Sequence, residues 1–370
     1  MFNKKRQKII ILIVGVSALT GFLAFFFWRK SPPIPKKSET APKLTLQTSI
    51  PTRTNQGMGP TTMAISLDGK YVLIGTPKGA CTGQPPSGSQ SNLTLVSSPD
   101  FSVVKSISFD DWLLGFTFTP DSKKIVAANS YSDKVTIFSI PSLEKIAEIP
   151  AGPVKAEESE FAAPVSGCCK INAGYKPAYV AIGPEGHFAF VSNAHDGSIL
   201  VIDVNSAEIV QKIELPKYPE NKSQSMPLGI LADSQGNYLY VTDRLAEKVF
   251  VIDQKTFKLV KEVTVGKMPE AMVFSPNEKF LYVANSGEKT ISTIDTFSLA
   301  ISEIIDLSNI NSFPRWLAIE PQGEFLFIGH NEEPFLSIVS TKTGEVVGSL
   351  GKETKPWMLA VSPDGKNLLL

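Results

Sequence analysis

Histidine and cysteine are scarce, three of each in 370 residues. No two cysteines have the C-x-x-C spacing of a thiolate metal site. Also absent are H-E-x-x-H, the G-x-S-x-G elbow and the phosphate-cradling G-x-x-x-x-G-K-[ST]. Those absences exclude the zinc-protease, serine-esterase and P-loop chemistries that need them. Charge of one sign is lacking too, since 36 basic and 36 acidic side chains cancel. A polyanion-binding face depends on an excess of Lys and Arg, so nucleic acid is not an expected partner. What remains is a moderately apolar chain, long enough for one large domain or two ordinary ones.

One uncharged run stands apart. Ile9 to Trp28, "IIILIVGVSALTGFLAFFFW", holds 20 residues without a charge. At about 1.5 Å per residue a helix of that length spans a hydrocarbon core of roughly 30 Å. A cleaved signal peptide would have a shorter apolar region and an A-x-A-like site, and neither is present. The run therefore predicts a transmembrane anchor, residues 9–28, behind a basic leader, residues 1–8. Lys4, Lys5, Arg6 and Lys8 precede it, and Arg29, Lys30, Lys36 and Lys37 follow, so flanking charge does not orient it. The basic leader resembles the start of an export signal, which places the main domain outside the cytoplasm. Residues 29–43, rich in Pro, Lys and Ser, read as a solvated tether.

Residues 44–370 are repetitive. Six segments share a proline nine positions before a turn: Pro60, Pro177, Pro227, Pro269, Pro314 and Pro356. A seventh, "LLGFTFTPDS", has Leu113 in that place. The turns fall at Gly69, Ser122, Gly186, Gly236, Glu278, Gly323 and Gly365. Strands rich in aromatic and β-branched residues follow each turn, as in "YLYVTD" and "FLYVANS". A further strand ends 17 positions past the turn at Asp203, Asp253 and Asp295, or at Ser139 and Ser340. Asp or Ser there bonds backbone two residues on and starts the next turn. Four short strands per unit match one propeller blade.

With "LYVTD", "LYVAN", "AFVSN", the S-P-D-G-K turns and the V-I-D strands, the chain resembles the YVTN-type β-propeller repeat family. The resemblance implies an all-β, seven-bladed propeller whose last blade is incomplete. "KLTLQTSIPT", Lys43 to Thr52, reads as a stray fourth strand that completes it. By the same offset the third strand of that blade would close about twelve residues beyond Leu370. The sequence is accordingly expected to be a fragment, because an open edge ending in "NLLL" would invite aggregation.

Departures from the repeat mark the candidate sites. Insertions at 78–92 and 151–176 fall in a loop between second and third strands and in a connection between blades, which blade topology puts on one face. They carry Cys81, Cys168 and Cys169, candidates for a disulfide from Cys81 to one of the pair. Cys81, Cys168, Cys169, His195 and His330 are the weaker alternative, a soft-metal site. The second candidate is the channel mouth, where Tyr179, Glu270, Arg315, Trp316 and Trp357 could hold an anionic or aromatic ligand. Against it stands the reading that these aromatics wedge between blades, and that Met226 and Met268 pack likewise. Propeller lactonases place acidic and amide ligands around a channel metal. Asn129, Asn193, Asn285 and Asp243 are explained here by strand termination.

The expectation is a single-pass, extracytoplasmic propeller that binds a protein or small-molecule ligand on the insertion face, without a cofactor. A lactonase-like or other metal-dependent enzyme at the channel mouth is the alternative. A redox or metal-handling role for the cysteine loops is the second.

Overall fold

A computed structural model describes residues 10–13, 45–49, 62–76, 91–98, 100–109, 111, 113–130, 132–152, 177–218, 225–310, 312–330, 333, 335–351 and 358–370. Among them there are 28 strands and no helix. Two lie ahead of the repeats, β1 (Ile10–Ile13) and β2 (Thr45–Ser49). Blade one is β3 (Thr62–Ile65), β4 (Tyr71–Thr76), β5 (Ser91–Ser97) and β6 (Val103–Phe109). Blade two is β7 (Leu113–Phe118), β8 (Lys124–Asn129), β9 (Lys134–Ser139) and β10 (Lys145–Pro150). Blade three is β11 (Pro177–Ile182), β12 (Phe188–Asn193), β13 (Ser198–Asp203) and β14 (Glu208–Glu214). Blade four is β15 (Pro227–Ala232), β16 (Tyr238–Asp243), β17 (Lys248–Asp253) and β18 (Leu259–Thr264). Blade five is β19 (Pro269–Phe274), β20 (Phe280–Asn285), β21 (Thr290–Asp295) and β22 (Ala300–Asp306). Blade six is β23 (Pro314–Ile319), β24 (Phe325–His330), β25 (Leu336–Ser340) and β26 (Val346–Leu350). The hairpin β27 (Ala360–Val361) and β28 (Asn367–Leu369) follows.

The six blades are antiparallel meanders, each strand paired to the next in sequence. Their first strands form a closed ring. β3 contacts β7, each first strand contacts the next up to β23 with β27, and β27 contacts β3. The hairpin thus occupies a seventh place, and Leu368 and Leu369 are buried rather than left as an open edge. Leu369 packs on Val72, Ile74 and Val96 of blade one. Leu368 joins Phe327 and Ile338 of blade six.

The seventh sheet has the order β2-β1-β28-β27. The expected fourth strand therefore appears as β2, at the outer edge. Its neighbour corrects an expectation: Ile10–Ile13, placed in a transmembrane helix by the sequence, is a strand parallel to both β2 and β28. Ile10, Ile11 and Ile13 are β-branched and favour extended backbone, and β28 offers them a row of unpaired hydrogen-bonding groups. No helix among the described residues is long and apolar enough to cross a membrane. The rest of 9–28, with 1–8 and 29–43, lies outside the described residues.

Second and third strands are buried along nearly their whole length, whereas fourth strands such as Glu208–Glu214 are mostly exposed. Both faces of a blade meet another blade, so the inner strands read as continuous apolar runs. Between blades three and four, Phe190, Ile199 and Val201 meet Ile230, Leu239 and Phe250. Fully burying one such side chain stabilises by about 1.5–3 kcal/mol, and every interface holds several.

The recurring turns have a concrete cause. In S-L-D-G-K the Ser66 hydroxyl donates to Asp68 Oδ1 at 2.7 Å, and the Lys70 and Tyr71 amides donate to Asp68 and Ser66. At the strand ends Asp253 accepts from the Lys255 and Thr256 amides, and Asp203 and Asp295 do the same two and three residues on. These are the side-chain turns the sequence predicts.

All seven turn positions have left-handed backbone, from φ 53° at Glu278 to 74° at Gly186. Five are glycine, and a Cβ there would meet the turn proline of the preceding blade: Gly186 meets Pro120, Gly236 meets Pro184, Gly323 meets Pro276, Gly365 meets Pro321 and Gly69 meets Pro363. The two exceptions, Ser122 and Glu278, follow the two blades whose turns lack proline, at Leu67 and Ser234. Proline in one blade thus demands glycine in the next, and the rule closes cyclically from blade seven to blade one. Glu278 uses its freedom to accept hydrogen bonds from the Ser234 amide and hydroxyl.

Gly323→Ala is expected to cost about 1–3 kcal/mol, from left-handed strain plus contact with Pro276 at 3.0 Å. Pro276→Ala in the same chain should recover part of it, while Ser122→Gly should be neutral or stabilising. Denaturant unfolding of the single and double variants measures the coupling. Strict additivity would contradict the contact.

Candidate functional site

First strands begin, and second strands end, at one end of the ring, as in the pairing of Pro177 with Asn193. Both insertions open at this end. Cys81, Cys168, Cys169 and Trp357 lie outside the described residues, as does most of each insertion.

The residues that close the second strands of blades two to six are Asn129, Asn193, Asp243, Asn285 and His330, and all are buried. Their side chains tie this strand end down. The Asn129 amide donates to Thr136 Oγ1 at 3.0 Å, and the Asn285 amide to Thr290 and Ser292 at 2.8 and 2.9 Å. His330 Nε2 lies 2.8 Å from Ser337 Oγ, seven positions on as in Asn129–Thr136 and Asn285–Ser292. Asp243 accepts from the Ser225 hydroxyl and from the Met226, Leu245 and Ala246 amides. Strand termination is the work of this ring.

His330 therefore belongs to the scaffold. It is packed 4.8 Å from the Phe335 ring, and burial pulls its pKa down to about 4. His195 sits half-buried in the turn after Asn193, three blades away. No group of three His, Cys, Asp or Glu that could hold a metal occurs among the described residues. The two histidines of the alternative metal site are not brought together with a third ligand there.

The channel mouth does assemble. Glu270 Oε2 lies 3.0 Å from Arg315 Nε, and its Oε1 lies 3.3 Å from Arg244 Nη1. All three side chains are only 12–15% exposed. They come from blades four, five and six, so the cluster spans three consecutive blades. Arg244 follows the strand-ending Asp243, while Glu270 and Arg315 are the second residues of β19 and β23. Close approach of the first strands brings them together: a Cβ at Gly229 would lie 2.2 Å from the Glu270 carbonyl. The Thr242 hydroxyl donates to that carbonyl at 2.9 Å, as Ser192 does to Leu228 one blade earlier.

The guanidinium of Arg315 lies over the Trp316 ring, 4.9 Å from its centroid. Trp316 packs with the core between blades six and seven, and Tyr179 with that between blades three and four. Both rings thus pack at interblade cores and also stand beside the charges. Burial raises the Tyr179 phenol pKa, and Glu270 adds to the rise while Arg315 and Arg244 oppose it. Burial also works against the Arg244 charge, which Glu270 supports and Arg315 opposes. A phenol and two guanidinium groups around one carboxylate can exchange hydrogen bonds with an anion.

Arg244 was not among the sequence candidates. It follows a strand end instead of a repeat proline, and only pairing of β15 with β16 brings these positions together. Met226 packs as expected, at 4% exposure, but Met268 does not. It is exposed and left-handed, φ 51°.

The family model "Lactonase, 7-bladed beta-propeller" matches residues 115–298. That is just under half of the chain, and it covers most of blades two to five. The repeats that resemble the YVTN type are compatible with it. Among solved structures, hydrazine synthase of Kuenenia stuttgartiensis is 19% identical with a TM-score of 0.63, over 85% of this chain and 93% of that one. The β-propeller domain of Cps50 (Swd1) from Myceliophteria thermophila is 13% identical with a TM-score of 0.63, over 84% and 92%. The shared property is the fold. No curated protein matches the chain.

Among the described residues, both Glu270 oxygens face arginines and Asp243 accepts from four donors, so neither carboxylate is open to a channel metal, whereas the buried Oδ1 atoms of Asn129, Asn193 and Asn285 accept no hydrogen bond.

His330 sets a pH window. Its folded pKa, about 4, lies below the ordinary 6.5, so the unfolded chain binds the extra proton between these values. Stability is full above pH 6.5 and falls as pH drops towards 4, by roughly 3 kcal/mol at most. His330→Asn, which copies the residue at 129, 193 and 285, should fold and flatten that slope. Urea unfolding between pH 7 and 4 measures it; an unchanged slope would clear His330 of the effect.

Proposed function

We propose that this chain is a ligand-binding propeller whose site is the channel mouth on the insertion face, held outside the cytoplasm by an N-terminal membrane tether. The observation that carries the reading is the Arg244–Glu270–Arg315 cluster. Three charged side chains that the repeat does not share converge, largely buried, at the end of the ring where the first strands begin. The insertions at 78–92 and 151–176 open at the same end, and loops on a rigid scaffold are where binding residues concentrate. Ligand or partner contacts are expected from them as well.

A second reading is favoured by one finding, the match of residues 115–298 to lactonase propellers. It would place lactone hydrolysis at the same mouth. The two readings separate in a single set of assays on the full chain in detergent. A screen of small metabolites by thermal shift should find ligands whose stabilisation is lost in Arg315→Gln. Lactones should be hydrolysed no faster than in buffer, with or without added divalent metal. Metal-dependent turnover abolished by Glu270→Gln would establish the enzyme reading instead.

The tether rests on the uncharged run Ile9 to Trp28 with basic residues on both flanks. The chain should stay with membranes through alkaline carbonate extraction. Protease applied from the extracytoplasmic side should remove the propeller. Recovery in the soluble fraction, or full protection by a sealed inner membrane, would rule out the tether or its orientation.

A further inference from the structure

We infer that the left-handed residue in each third-to-fourth-strand turn is a latch between blades, and that glycine at 344 makes blades five and six the most readily parted pair of complete blades.

The turns break a local rule. Phe101, Leu143, Ala207, Phe257, Leu299 and Gly344 each stand four positions after a third strand ends. All six have positive φ, from 50° at Leu299 to 67° at Gly344. Phe257 and Gly344 close their turns alike, with amides donating to the Asp253 and Ser340 carbonyls at 2.8 Å. Left-handed backbone crowds a Cβ against the following carbonyl, and glycine is the residue that escapes the cost. Yet five of the six are not glycine, and two are phenylalanine. Nothing within the hairpin recommends Phe or Leu there, so a gain elsewhere has to offset the strain.

That gain lies against the preceding blade. The Phe257 ring stands edge-on to Phe188 and Phe190 of blade three, with centroids 5.6 and 6.3 Å away. Leu143 is 3% exposed in the core between blades one and two. Leu299 packs on the core between blades four and five, and Ala207 on that between two and three. Phe101 packs on the core that blade one shares with Leu369. Gly344 holds the same place against blade five, where a Cβ would lie 3.7 Å from Ile305 Cγ1. Its nearest neighbour would be Glu303 Oε1 at 3.0 Å, the far end of an exposed side chain. Blade six thus reaches blade five without a side chain.

The strain belongs to the hairpin and persists when two blades part, whereas the burial is lost. Only burial therefore counts between joined and parted blades. Among the described turns of complete pairs, it favours joining everywhere except between five and six. Parting there would also draw Arg315 away from Glu270, whatever the mouth binds.

The test is thiol labelling of buried cysteines in the full chain carrying Cys81→Ser, Cys168→Ser and Cys169→Ser. Val339, Ile294 and Ile252 each precede the last residue of a third strand and are 0% exposed. They lie in the cores between blades five and six, four and five, and three and four. Val339→Cys should label at least about tenfold faster than Ile294→Cys and Ile252→Cys. Gly344→Leu should slow Val339→Cys about tenfold and leave Ile252→Cys unchanged, although it puts a bulky side chain at positive φ. Leu299→Ala should speed Ile294→Cys alone, which tests the latch even if Gly344→Leu does not fold. Equal labelling at the three sites, or no slowing in folded Gly344→Leu, would overturn the inference. Leu299→Ala leaving Ile294→Cys unchanged, or speeding all three sites together, would overturn it as well.

Discussion

Each blade is apolar on both faces, and the only surface able to cover a blade is another blade. This constraint makes the ring. Phe190 and Phe250, Tyr240 and Leu281, Phe327 and Leu368 are inaccessible to water only because a neighbour lies against them. A meander taken alone would expose two rows of aromatic and β-branched side chains. Curvature then has to close, and closure is carried by the smallest element, the hairpin β27–β28 between blades six and one. The outer strands escape the constraint, which is why their residues are exposed and their sequences vary freely.

Closure also governs the polar details. On the turn face each blade's proline rests on the left-handed residue of the next, so the ring has a sense of rotation written into pairs such as Pro120 with Gly186 and Pro321 with Gly365. Where the pair is missing, between blades four and five, a glutamate reaches across to Ser234 instead. At the other end the second strands finish on buried amides, an acid or an imidazole whose bonds go to their own or the adjoining blade. These groups are polar, buried and periodic, and they serve the scaffold.

Function is to be sought where periodicity fails. Arg244, Glu270 and Arg315 have no counterparts in blades one to three, where the matching first-strand positions include Leu114 and Ala178. Glu270 and Arg315 sit on first strands and Arg244 on the turn that directly follows β16, so three side chains from three blades meet within hydrogen-bonding distance. The cluster at once clasps three blades and presents charge at the opening.

The repeat itself was legible in the amino acids, because strand length, turn chemistry and the strand-ending aspartates each depend on residues within a few positions of one another. Seven turns and their spacing determined an all-β ring of blades, and β2 as a late-placed outer strand followed from its isolation. The pairing of Pro in one turn with Gly in the next is also written there, but only as a correlation between residues 44 (Pro321 to Gly365) to 66 (Pro120 to Gly186) apart; its reason is a contact across an interface. Glu270 and Arg315 were readable as neighbours of repeat prolines. Arg244 was not, since its position relative to them depends on how β15, β16 and β19 approach. Ile10–Ile13 shows the same limit from the other side. Its apolar, β-branched residues suit a lipid-spanning helix and an added strand alike, and the choice rests on an unpaired edge at β28 that exists only once the ring has formed.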